Sequence, residues 1–133
     1  PTAAVLAAIE AEASALTAVT GNNETAAVRQ RLPSTATVDW QGCRFVVAHG
    51  HEHSATGLDM LAREAEADVV VVGHSHRPEL ADLGERLLVN PGSYAQPRRY
   101  RVAHAELTVD GHSLRVELRS PDGETYETVS RPV

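Results

Sequence analysis

The chain is predicted to fold as α/β, in the mixed α+β sense, and three observations predict it. Helical and extended segments alternate through its first half. Antiparallel strand signals dominate from about Leu80 onward. Three strands end in short loops rich in Asn, His and Gly, and ligands gather at the carboxyl edge of open α/β sheets.

The elements follow in order. Residues 3–17 set Leu6, Ile9, Ala13 and Leu16 at helical spacing, which predicts a helix burying that face. Thr17–Thr20 reads as a short strand closed by Gly21-Asn22-Asn23, and a second helix runs from Thr25 to Arg31, stopped by Pro33. Thr35–Trp40 and Cys43–Ala48 form a hairpin turning at Gln41-Gly42, its second arm apolar enough to be buried on both faces. After His49-Gly50-His51-Glu52-His53, Ser54 caps a helix that turns Leu58, Leu61 and Ala65 inward. Val69–Val72 reads as a central strand and ends in Gly73-His74-Ser75-His76. Strands follow at Leu80–Leu83 and Leu87–Val89, then the turn Asn90-Pro91-Gly92-Ser93. Arms over Tyr100–Val109 and Ser113–Arg119 flank the hairpin signal Asp110-Gly111, and Thr125–Val129 adds a last strand. No repeat or linker interrupts residues 1–133, so a single domain is expected.

Composition narrows the function. At 133 residues and 42% hydrophobic content the chain can build a real core. No apolar run approaches the ~20 residues that span a bilayer, and there is no signal-peptide pattern. The single cysteine, Cys43, rules out an internal disulfide and suits a reducing compartment, so the cytoplasm is expected. A net charge of -6 argues against a broad basic nucleic-acid face, but not against a small phosphorylated substrate met through bound metal ions. Homo-oligomerisation stays open.

The chemistry lies in the histidines. Five of the seven fall between positions 49 and 76, and neutral imidazole is the commonest protein ligand for transition metals. A His-x-His after a buried strand aims two imidazoles into one space. Two such motifs, with an Asn-containing glycine turn after a third strand, specify a metal site far better than one. Plainer readings stand beside this. Asn22 and Asn23 suit a turn, and Glu24 suits the first turn of a helix. His53, His104 and His112 read as solvated, Cys43 as a core thiol, and Trp40 as hairpin packing.

Taken in order, Gly21-Asn22-Asn23-Glu24, His49-Gly50-His51, Gly73-His74-Ser75-His76 and Asn90-Pro91-Gly92-Ser93 resemble the calcineurin-like metallophosphoesterase superfamily. The likeness is best to its small YfcE-type phosphodiesterase branch, which also includes the retromer scaffold subunit of the same fold. The resemblance implies a four-layer αββα sandwich and two divalent metal ions, from among manganese, nickel, iron and zinc, with manganese favoured. It implies that Asn22, His49 and His74 bind one metal and His76 the other. It also implies that His51 reaches the substrate phosphate, with Arg98 and Arg99 as further candidates. The family's remaining ligands, an Asp-x-His and a bridging Asp, precede the helix with which this chain opens. The natural protein is therefore expected to be longer by a β-α-β unit of roughly 30 residues or more. The implied activity is hydrolysis of a small phosphoester, in particular a phosphodiester, by hydroxide activated between two metals. Asn23 stands where much of the superfamily has a proton-donating histidine. An amide cannot donate that way, so good leaving groups are expected. The alternative is a non-catalytic interaction scaffold of the same fold.

Overall fold

A run of four valines organises the molecule, because four consecutive β-branched side chains stay dry only in a strand covered on both faces. The computed structural model describes residues 2–50 and 53–133. In chain order these form α1 (Ala3–Glu12), α2 (Ala26–Arg31), β1 (Thr35–Trp40), β2 (Cys43–Ala48), α3 (Ala55–Ala65), β3 (Val69–Val72), β4 (Glu79–Asp82), β5 (Leu87–Asn90), β6 (His104–Asp110), β7 (Ser113–Arg119) and β8 (Thr125–Pro132). One sheet has the order β1-β2-β3-β5-β4, and the other is β6-β7-β8.

Strand β3 lies between β2 and β5 and is parallel to both, with Ala48 opposite Val72 and Val71 opposite Val89. Alternation along these strands sorts the core into two layers. Phe45, Val69, Leu87 and Val89 face the second sheet and meet Leu114 and Val116. Val46, Val70, Val72 and Leu88 face the other way and pack on Leu58 and Ala62 of α3. Each fully buried aliphatic side chain contributes roughly 1.5–3 kcal/mol relative to exposure. Helix α3, the five-stranded sheet and the three-stranded sheet supply three of the four expected layers. The far face of the three-stranded sheet carries Glu106, Thr108, Asp110 and Arg115, all exposed.

Local chemistry sets the joints. Gln41 and Gly42 take φ of 56° and 78°, the positive angles that close a two-residue hairpin in step with strand twist. The Ser54 hydroxyl accepts the Gly57 N–H at 3.1 Å and starts α3. Asp68 fixes the entry to β3: its carboxylate accepts the Arg44 N–H at 2.8 Å, and its own N–H donates to the Arg44 carbonyl at 2.8 Å.

Two expectations fail at the start of the chain. The first helix ends at Glu12, not residue 17, and of its predicted buried face only Leu6 is buried. Ile9 and Leu16 are exposed. Alanine on every side leaves no strong apolar stripe, and the neighbouring α2 has six residues, enough to cover one turn. Thr17–Thr20 is not a strand. A strand needs a paired neighbour, and this segment has the Thr20 N–H on the Pro33 carbonyl at 2.8 Å. Elsewhere the elements lie close to prediction. Two differ more: β6 begins at His104 instead of Tyr100, and β8 extends to Pro132. None of the helices among the described residues is long and apolar enough to cross a membrane.

The core-thiol reading of Cys43 has a measurable consequence. The side chain is 1% exposed, and burial, helped by the nearby Asp68 charge, pushes its pKa up to about 11 from 9.0. The folded state then holds a proton that the unfolded chain releases above about pH 9, so folding stability falls as pH rises from 9 toward 11. Urea unfolding across that range should show this fall in the wild type and less of it in Cys43→Ala.

Candidate metal centre

The register of the parallel strands decides which loops meet. Ala48 and Val72 are partners, so His49 and Gly73 begin their loops at one level. The Gly73 N–H continues the ladder onto the His49 carbonyl at 3.1 Å. The imidazoles of His49 and His74 lie with centroids 5.1 Å apart and planes at 70°. On the next strand Val89 pairs with Val71, which brings Asn90 level with this edge.

Asn90 is buried to 4% and uses its whole amide. Its Nδ2 donates to the Gly73 carbonyl at 3.2 Å and to Ser75 Oγ at 3.1 Å, while its Oδ1 accepts the Gly92 N–H at 3.0 Å. One side chain thus ties the histidine loop to the turn after β5. The tie matters because His74 and His76 both sit at positive φ, 71° and 63°. Such a conformation costs a non-glycine residue of order 1–3 kcal/mol and persists only where its surroundings enforce it.

Gly21 shows the same economy of space. A β-carbon there would lie 3.0 Å from the Cδ2 and Nε2 of His49, tighter than ordinary contact, so glycine lets this loop lie against the imidazole without displacing it. Asn22, Asn23, Glu24, His49, His74 and His76 accordingly line one cavity of about 610 Å³, together with Ser93, Ala95, Gln96 and Arg98. Arg99 is on the adjoining cavity, and His51 lies outside the described residues.

Residues without a sequence signal complete the site. The Gln96 carbonyl is 2.5 Å from His76 Nδ1. A proton on Nδ1 satisfies that contact and leaves Nε2 as the basic nitrogen, as is usual for metal-binding histidines. A backbone carbonyl carries no residue-type signature, so no motif could have disclosed it. The loop bearing Gln96 is fastened to the second sheet. The Tyr94 hydroxyl lies 2.6 Å from His104 Nδ1, and His104 Nε2 lies 2.8 Å from Glu106. Hydrogen bonding by His104, aided by the Arg119 charge, holds the Glu106 carboxyl below its usual range. His104 is at the surface as expected, but it is engaged there. His53 is half-buried and His112 exposed.

The donor chemistry fits one divalent ion held by His49, His74 and the Asn22 amide oxygen. For a second ion the described histidines of this cavity leave His76 alone. Among the described residues no three His, Cys, Asp or Glu side chains are grouped closely enough to hold one ion together, and a close metal pair needs bridging carboxylate.

Two stacked sheets with imidazole-bearing loops at one strand edge define a metallophosphoesterase-type fold. Residues 1–112 match the calcineurin-like phosphoesterase superfamily domain, and the chain belongs to that family. It is 34% identical over 95 residues to a probable metallophosphoesterase, YsnB, of Bacillus subtilis, covering 68% of this chain and 56% of that protein. A conserved Streptococcus pneumoniae protein described as a predicted phosphoesterase superposes with a TM-score of 0.72 at 28% identity, over 85% of this chain and 69% of that one. Chaetomium thermophilum Vps29 has the same fold, with a TM-score of 0.77 at 21% identity over 98% and 75% of the two chains. The chain spans about half the length of the curated relatives it matches, 52% and 56% for two of them.

Removing the Asn90 amide should loosen both loops together. Asn90→Ala is expected to cost about 1–3 kcal/mol, the penalty for stranding buried partners, read by urea denaturation. Asn90→Asp keeps the acceptor for Gly92 and loses the donors to Gly73 and Ser75, so it should stay destabilised.

Proposed function

We propose that the protein carrying this chain is a metal-dependent phosphoesterase, in particular a phosphodiesterase acting on a small phosphorylated substrate. What carries the reading is the gathering of Asn22, His49, His74 and His76 around one cavity that Arg98 also lines. His49, His74 and the Asn22 amide would hold one divalent ion, and His76, its Nδ1 facing Gln96, would serve a second. Manganese is favoured. When bound, such ions supply a water acidic enough to ionise near neutral pH and positive charge opposite the phosphoryl oxygens.

The chain's own groups do the rest. Arg98 presents a guanidinium to the phosphoryl oxygens, where a charge-assisted pair both orients and neutralises. His51 is proposed as a second phosphate contact. Asn23 can orient a leaving group through its amide but cannot protonate it at neutral pH, which favours groups that leave as stable anions. A cytoplasmic setting follows from the lone buried thiol.

A second reading is a protein-interaction scaffold of the same fold. It is favoured by the lack of three convergent His, Cys, Asp or Glu side chains among the described residues.

The two separate experimentally in the intact protein. The phosphoesterase reading predicts bound divalent metal and hydrolysis of bis(p-nitrophenyl) phosphate that chelation abolishes. It also predicts that alkyl phosphodiesters react far more slowly. Metal-free protein without metal-dependent activity would establish the scaffold instead, and equal aryl and alkyl rates would remove the role given to Asn23.

A further inference from the structure

A second cavity, of about 300 Å³, adjoins the candidate metal centre and is walled by Ser75, Arg98, Arg99 and Tyr100. Arg98 lines both cavities, so the two share a wall. Ser75 sits between His74 and His76 in sequence and contributes to the second cavity.

The walls specify a charge. Among the described residues no carboxylate lines this cavity. Among the described residues neither Arg98 nor Arg99 meets an acidic side chain, whereas Arg44, Arg86 and Arg119 each do. In a chain of net charge -6, two adjacent guanidinium groups on one cavity without a carboxylate among its described lining make a local positive site. Arg98 is also held at φ 56°, rare for a long side chain, inside a turn closed by the Tyr100 N–H on the Pro97 carbonyl at 2.9 Å. Uncommon backbone of this kind clusters at ligand clamps.

The walls also specify hydrogen-bond donors. Ser75 Oγ already accepts from the Asn90 amide and from the Arg77 N–H, so its own proton is left to give. The Tyr100 hydroxyl accepts from Arg99 Nη2 at 3.1 Å and keeps its proton in the same way. The Arg99 guanidinium lies 5.2 Å from the Tyr100 ring centroid, so that face of the ring is occupied and not open to a flat aromatic ligand. Arg99, the Arg98 guanidinium shared with the metal centre, and two hydroxyl donors match the oxygens of a phosphate.

We propose that this cavity is a second anion site, so that the substrate carries a phosphate group in addition to the one presented at the metal centre. The assignment rests on the phosphoesterase reading for the placement of the first phosphate. It adds that substrates with two separated phosphates are preferred over substrates with one.

Calorimetric binding to the intact protein, with Mn²⁺ present, tests this with thymidine 3′,5′-bisphosphate against thymidine 5′-monophosphate. The bisphosphate should bind about tenfold more tightly, the scale of one added charge-assisted contact. That ratio should fall toward one in Arg99→Ala, and in the wild type it should shrink as salt is raised. Equal affinities in the wild type, or a ratio untouched by Arg99→Ala, would overturn the second site. Hydrolysis of the matching 5′-(p-nitrophenyl) esters, with and without the 3′-phosphate, reads the phosphoesterase assignment separately. Preferential binding without hydrolysis leaves the anion site and removes catalysis; hydrolysis without preference does the reverse.

Discussion

Burial of β3 on both faces is the constraint from which the rest follows. Its four valines have no polar side to offer water, so the strand must run between two parallel neighbours with α3 on one face and the second sheet on the other. Parallel pairing then brings the carboxyl ends of β2, β3 and β5 to one edge. The histidine loops need no further device to find each other, because the register that buries Val70 and Val72 also sets His49 level with Gly73. Core packing and site assembly are one event here.

What the sheet edge alone does not provide is fine placement. That comes from small, specific interactions laid over the edge. Gly21 leaves room for the His49 ring, the Asn90 amide ties Gly73 to Gly92, and the Gln96 carbonyl meets His76. Each is worth little beside the core. Together they hold two histidines in left-handed backbone that would otherwise relax. The loop carrying Gln96 and Arg98 is anchored in turn on the second sheet through Tyr94, His104 and Glu106.

Much of this was legible in the sequence, for physical reasons. The strands around the histidines were readable because four valines, or Phe45 to Ala48, admit few alternatives. The two hairpins were readable because Gln41, Gly42 and Gly111 take the positive φ that their turns require, the second turn falling on Gly111-His112, one residue past the Asp110-Gly111 signal. The beginning of the chain was not. Leu6, Ile9 and Leu16 have helical spacing, but spacing says only that a face could be buried, and α2 is too short to bury it. Thr17–Thr20 has strand composition but no pairing partner among the described residues. At the site, side chains with a chemical signature were found from their motifs. The Gln96 carbonyl and the donor role of Ser75 depend on tertiary placement, which residue type does not encode. His104 illustrates the limit from the other side: its surface position was readable, its partners were not.

Parallel strand register gathers His49, His74 and His76 around one cavity at the sheet edge, the one proposed to bind metal, while the remaining described histidines stay outside it. Side-chain ¹⁵N NMR of the intact protein, titrated with Zn²⁺, tests this most directly. Large, saturable shifts are expected at the Nε2 of His76 and at one ring nitrogen each of His49 and His74, with His53, His104 and His112 unmoved. Shifts confined to the surface histidines, or none at His49 and His74, would contradict it.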